Sequence, residues 1–114
     1  MITIKFESEG KFDHFSRSFD EVIAESVKDV ATVCAERARS LAPVRTGRLR
    51  RSIHYVASGS RAHVIADVDY ASRVEYGVPG RFEGRFYMRR ALEQASKESR
   101  DIWRENIRKQ WRAR

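Results

Sequence analysis

Between Asp13 and Ala42 nine apolar residues, Phe15, Phe19, Val22, Ile23, Val27, Val30, Cys34, Ala38 and Leu41, recur mostly at intervals of three and four. At about 3.6 residues per helical turn this spacing places them along one side of a single long amphipathic helix. Such a stripe must be buried against another element, so the rest of the chain has to supply that partner. Acidic Asp20, Glu21 and Glu25 crowd the first turns and Arg37 and Arg39 the last, the arrangement a helix dipole favours. Asp13, or Ser18 with Glu21 as a capping box, is the expected N-cap. Pro43, which has no N–H to continue the ladder, ends the helix.

Ahead of this helix Ile2, Ile4 and Phe6 alternate with Thr3, Lys5 and Glu7, the period of a half-buried strand closed by Gly10. After it, Thr46 and Gly47 make a turn. Ser52 to Ala57 and Ala62 to Val68 read as two strands joined through Ser58, Gly59, Ser60 and Arg61, a hairpin. Tyr70 to Tyr76 is a short helical turn closing at Gly77 as its C′ glycine. Gly77 to Arg85, with Pro79, Gly80 and Gly84, reads as a mobile loop. From Phe86 onward Met88, Ala91, Leu92, Ala95, Ile102, Trp103, Ile107 and Trp111 return to helical spacing. The expected fold is α+β: a small, mainly antiparallel sheet packed against two long helices. With 114 residues the chain is expected to form one domain, residues 1–114, burying about two-thirds of its unfolded surface.

His14, His54 and His63 do not stand at metal-ligand spacing with one another or with Cys34, and the serines lack a Gly-x-Ser-x-Gly setting. Cys34 falls on the apolar helix stripe and reads as a small core residue. The glycines between Gly77 and Gly84 match neither phosphate-cradling pattern. The expectation is no catalytic residue, no metal, no cofactor and no enzymatic activity. No apolar run reaches the roughly 18 residues of a membrane span, and the first ten residues do not resemble a secretory leader, so a soluble chain without membrane contact is expected. Glu75, flanked by Val74 and Tyr76, needs a partner if buried, for which an arginine such as Arg48 or Arg89 would serve; a solvated carboxylate is the alternative. Tyr70 and Tyr76 are expected to pack on the base of the last helix.

The charge is strongly polarised. Residues 1–36 carry a net −4, residues 37–66 hold seven arginines and no acid, and residues 67–114 carry a net +4, for an overall +7. Two readings fit: a basic surface for nucleic acid, or complementary patches that join copies of the chain. The bias of 18 Arg to 5 Lys suits both, because guanidinium grips carboxylate and phosphate alike. In the last helix Glu98 and Asp101 stand three or four residues from basic partners and read as a salt-bridged solvated face, while Arg108 to Arg114 form a cationic tail.

Three compact motifs stand in order along the chain: APVRTGRLRRSI from Ala42 to Ile53, YASRVEYG from Tyr70 to Gly77, and FYMRRAL from Phe86 to Leu92. They resemble the small head-tail joining proteins, also called neck or tail-completion proteins, of long-tailed bacteriophages and prophages. In that family AP…TG-x-L-x-x-S-I precedes Y-A-x-x-V-E-[FY]-G and then P-F-[LM]-R-P-A-L. The resemblance covers roughly residues 30 to 95. Phe86 and Arg90 replace the two prolines of the last motif, which leaves the backbone at the start of the last helix open.

The resemblance implies a non-enzymatic structural virion protein at the head-tail junction, present in the bacterial host cytoplasm during assembly. It would be a homo-oligomer, a hexameric ring, contacting the head connector and tail proteins while DNA passes through without specific binding. Pro43, Thr46, Gly47, Tyr70, Glu75, Tyr76, Gly77 and Arg89 are then expected to have structural roles. Arg45, Arg48, Arg50 and Arg51, with Arg81, Phe82 and Arg85 of the loop, are the expected interface residues, since arginine and aromatic side chains anchor interfaces. The alternatives are a small basic ribonuclease of the toxin type, which leaves the three motifs unexplained, and a DNA-binding protein, for which no helix-turn-helix pattern is present.

Overall fold

The computed structural model describes residues 1–7, 17–45 and 47–112. In chain order the elements are β1 (Ile2–Glu7), α1 (Arg17–Leu41), α2 (Arg48–Ser52), β2 (Ile53–Ser58), β3 (Arg61–Ala66), α3 (Ala71–Tyr76), β4 (Gly77–Val78), β5 (Phe82–Glu83) and α4 (Tyr87–Arg112). The architecture is α+β with two long helices, as the periodicities require.

Strands β1, β3 and β2 form an antiparallel sheet in that order, so the strand nearest the N-terminus lies beside β3 rather than beside β2. The register pairs Ile4 with Val64 and Tyr55 with Val64. Because side chains alternate between faces, Ile2, Ile4 and Phe6 share one face with Ala62, Val64, Ala66, Ile53 and Tyr55, and α1 packs on that face. The opposite face carries Lys5, Glu7 and Arg61; Glu7 accepts from Arg61 at 2.8 Å and lies 3.1 Å from Lys5. Those two cations hold the Glu7 carboxyl below its usual range. The β2–β3 turn is tighter than the four residues expected: Ser58 and Arg61 are a ladder pair, leaving Gly59 and Ser60 as a two-residue loop.

Helix α4 runs antiparallel alongside α1, as Arg37 meeting Glu98 at one point and Ser26 meeting Asn106 at another require. The buried faces of the two helices are rich in small side chains, with Ala31, Cys34, Ala35, Ala38, Ala91 and Ala95 fully buried. Burial pushes the Cys34 thiol up to about 11. One polar contact is set into this apolar seam: buried Asn106 donates to Ser26 Oγ at 3.1 Å and to Asp29 Oδ2 at 3.0 Å. A hydrogen bond available in only one alignment pins the register of a helix pair that alanines alone would allow to slide.

Several expectations are corrected. Ser52 belongs to α2, a helical turn not anticipated, and the strand begins at Ile53. Val68 is buried but lies beyond the end of β3. Helix α1 begins at Arg17, which places Ser18 within it rather than at the N-cap position. Glu98 pairs with Arg37 across the helix seam at 2.8 Å rather than within α4. Ile107 is half exposed, not core. Gly10, Asp13, His14, Phe15 and Thr46 lie outside the described residues, as do the side chains of Phe19, Trp111, Arg112 and Arg114. Among the described residues no helix is long and apolar enough to cross a membrane.

Candidate assembly surface

The antiparallel helix pair brings the end of α1 and the start of α4 to the same end of an elongated molecule of 57 × 21 × 21 Å. All three sequence motifs gather there. How they meet follows from a local deficiency in the chain. Helix α4 opens after Gly84-Arg85-Phe86, a stretch with no Ser, Thr, Asp or Asn to take its free N–H groups.

Glu75 supplies what the local sequence lacks. Its carboxylate, 2% exposed, accepts from the N–H of Met88 at 2.8 Å and of Arg89 at 3.0 Å, the two donors a side-chain N-cap would take. A negative charge at a helix N-terminus also opposes the positive end of the dipole. The partner of Glu75 is thus the backbone of Arg89 rather than a guanidinium, and the solvated alternative is excluded. Three further bonds close the same corner: Arg85 N–H to Val74 O at 2.8 Å, Phe86 N–H to Glu75 O at 3.1 Å, and the Tyr87 hydroxyl to Ala71 O at 3.1 Å. Burial first, and the Glu75 charge second, push the Tyr87 phenol above its usual range, so it remains a donor. The end of α3 is therefore bolted to the start of α4, which explains why YASRVEYG and FYMRRAL occur together.

Two backbone positions make this corner possible. Gly77 has φ 80° and ψ 177°, a region essentially reserved for glycine and distinct from the αL cap expected. A Cβ there would also sit 2.4 Å from the Gly84 nitrogen. Phe86, at the place of a proline in the joining-protein pattern, has φ 49°, which a proline ring fixed near about −65° cannot adopt. The Arg89 guanidinium lies over the Phe86 ring, 5.6 Å from its centre. The segment Gly77 to Arg85 is a short β4–β5 hairpin, with Val78 opposite Phe82, rather than a structureless loop.

Beside the corner a cleft of 730 Å³ opens between the α1–α2 connection, α3 and this hairpin. Its cations are Arg45, Arg48 and Arg85, and among the described residues no acid lines it. Leu49, Tyr70, Val74 and Phe82 make the apolar surface, with Pro43 and Gly47 at the edge. The Arg48 guanidinium lies over the Tyr70 ring, 5.7 Å from its centre, while Tyr70 also packs against the core and lies near enough to Tyr87, the first residue of α4, to act on its phenol. Tyr76 is 69% exposed and so is not a buried brace of the last helix. Of the seven expected interface residues the cleft unites Arg45, Arg48, Phe82 and Arg85, while exposed Arg50, Arg51 and Arg81 do not line it.

Among the described residues no three His, Cys, Asp or Glu side chains gather as a metal site would require. His54 is exposed with Nδ1 2.9 Å from Ser52 O, and His63 is partly exposed in the central strand. The capping role of Glu75 and the register contact of Asn106 were missed from sequence. The uncapped start of α4 was the signal for the first, since its free N–H groups had to find a distant acceptor; nothing local marks the second.

What these residues build is a braced corner with a cationic, partly aromatic cleft at its side. The chain belongs to the family whose model is described as "Bacteriophage HK97-gp10, putative tail-component", which matches residues 7–77, more than half of its length. The match includes the first two motifs and ends at Gly77, before α4. No curated protein and no solved structure matches the chain.

Proposed function

We propose that the protein is a non-enzymatic structural subunit of a tailed phage or prophage that forms a ring at the head-tail junction, joining the head connector to the tail. The observation that carries this reading is the bolting of two joining-protein motifs to each other, through Glu75 and the α4 N-terminus, beside a cleft formed partly by the third. The shared residues are thereby used to hold a shape. In this reading the subunits act as a hexameric ring with neighbours on both sides, and DNA passes through the opening without sequence recognition. The protein resides in the virion and, before that, in the host cytoplasm.

Deleting the gene from the phage or prophage that carries it and imaging the lysate tests this. Filled heads and separate tails are expected, with joining restored by the protein supplied in trans. Normal virions from the deletion, or label distributed along the tail when the protein is tagged, would overturn it.

A further inference from the structure

Two oppositely charged grooves lie on one frame. The first is the cleft at the α2–α3 end, where exposed Arg45 and Arg85 have no ion pair or side-chain hydrogen bond among the described residues. Phe82, half exposed, stands beside them. The second runs along the seam of α1 and α4: Asp29, Glu36, Asp101 and Glu105 surround half-buried Val33 and Ile102 in a groove of 460 Å³. Among the described residues its only lining cation is Lys109. Glu105 reaches Arg108 at 3.7 Å and Asp29 accepts from Asn106, whereas exposed Glu36 and Asp101 are without a partner among the described residues.

Each groove thus pairs unneutralised charge of one sign with apolar surface, and each offers what the other lacks. They cannot meet within one molecule, because Glu36 and Pro43 belong to one continuous stretch of α1 and its exit, about 10 Å apart at the helical rise. Contact between the grooves therefore requires two copies. Where each copy gives one groove to the contact and keeps the other free, the contact is heterologous, and such contacts repeat into a ring when the rotation between copies closes.

We propose that the Arg45/Arg85 cleft of one copy receives the acidic α1–α4 seam of a second copy, with Phe82 covering Val33 and Ile102. This deepens the ring reading and rests on it. Arg45 and Arg85 face Glu36 and Asp101 of the neighbour, and complementary potentials speed the encounter and fix which way round the copies join. Arg48, already engaged on Tyr70, shapes the cleft.

Charge exchange tests the pairing. The variant Arg45→Glu/Arg85→Glu and the variant Glu36→Arg/Asp101→Arg should each weaken self-association in sedimentation velocity by roughly tenfold or more, since each sets like charges against each other. Circular dichroism should stay that of the parent, all four side chains being exposed. The mixture of the two variants, and the chain carrying all four changes, should regain the parent oligomer, because both restore opposite charges at every junction. A parent oligomer indifferent to both double changes, or four changes that fail to rescue, overturns the pairing while leaving the ring reading intact. A parent monomeric at low salt also overturns it, whereas the junction position is tested separately by the gene deletion. Loss of binding to a duplex DNA probe by the Arg45/Arg85 variant alone, with self-association unchanged, would make the cleft a nucleic-acid site instead.

Discussion

Where α1 lies against α4 the contact is made by alanines, valines and a cysteine at helical spacing; where α3 meets the start of α4 it is made by one carboxylate holding two N–H groups. The first kind of contact is spread over many side chains, each contributing the transfer of a few methyl or methylene groups from water. The second is concentrated. Removing one of its members strands the others, since Met88 is buried and its N–H cannot turn to water. Damage should accordingly be graded along the helix seam and abrupt at the corner.

Glu75→Ala gives that comparison its sharpest test. It deletes two charge-assisted bonds and leaves donors without acceptors, which should cost about 3 kcal/mol in urea unfolding at neutral pH. Glu75→Gln keeps an acceptor but loses the charge, and should fall between the variant and the parent. A loss below about 1 kcal/mol for Glu75→Ala would mean that the corner is not the concentrated point of stability described above.

The helix seam was legible because its information is periodic. Val27, Val30, Cys34 and Ala38 announce a buried face by position alone, and Ile2, Ile4 and Phe6 do the same for the sheet. The corner was legible only as a set of motifs. Its bonds join Ala71, Val74 and Glu75 to residues more than ten positions away, and no local periodicity encodes a remote cap. The positive φ of Phe86 is likewise set by the surroundings, since a bulky side chain does not favour that region by itself. The cleft falls between these cases. Its arginines stand out in the sequence, but only the fold distinguishes Arg45, Arg48 and Arg85, which line it, from Arg50, Arg51 and Arg81, which do not.

On the graded side, Cys34→Ala should cost only about 1 kcal/mol, as it removes one sulfur from a seam that retains all its other contacts. The same residue reports opening. A thiol pushed up to about 11 is scarcely ionised at pH 8, so a thiol-specific reagent should modify it at the rate of unfolding rather than of collision. The sign is fixed by the direction of the shift: the contribution of the buried thiol to stability is complete below pH 9.0 and declines as pH rises from there through about 11. Buried Tyr87, also raised, acts in the same direction. Cys34→Ala should therefore show a shallower loss of stability above pH 9.0 than the parent. Equal slopes would assign alkaline unfolding to other groups.

The smallest effect separates the turn of the hairpin from the segment that follows it. Arg81 sits in the exposed β4–β5 turn, held by one bond from its N–H to Val78 O, whereas the Arg85 N–H is fastened to Val74 O inside the corner. A protease must draw an extended segment into its active site, so trypsin should cut after Arg81 well before it cuts after Arg85, even though both side chains are exposed. In the assembled ring the seam of a neighbour would cover Phe82, and cleavage after Arg81 should then slow. Mapping the first fragments by mass gives the order of cutting. Cleavage after Arg85 first would show that the corner opens locally before the turn does, and would blur the line between concentrated and dispersed stability. Equal rates after Arg81 in free and assembled protein would remove the hairpin from the joint and leave the helix faces to form it.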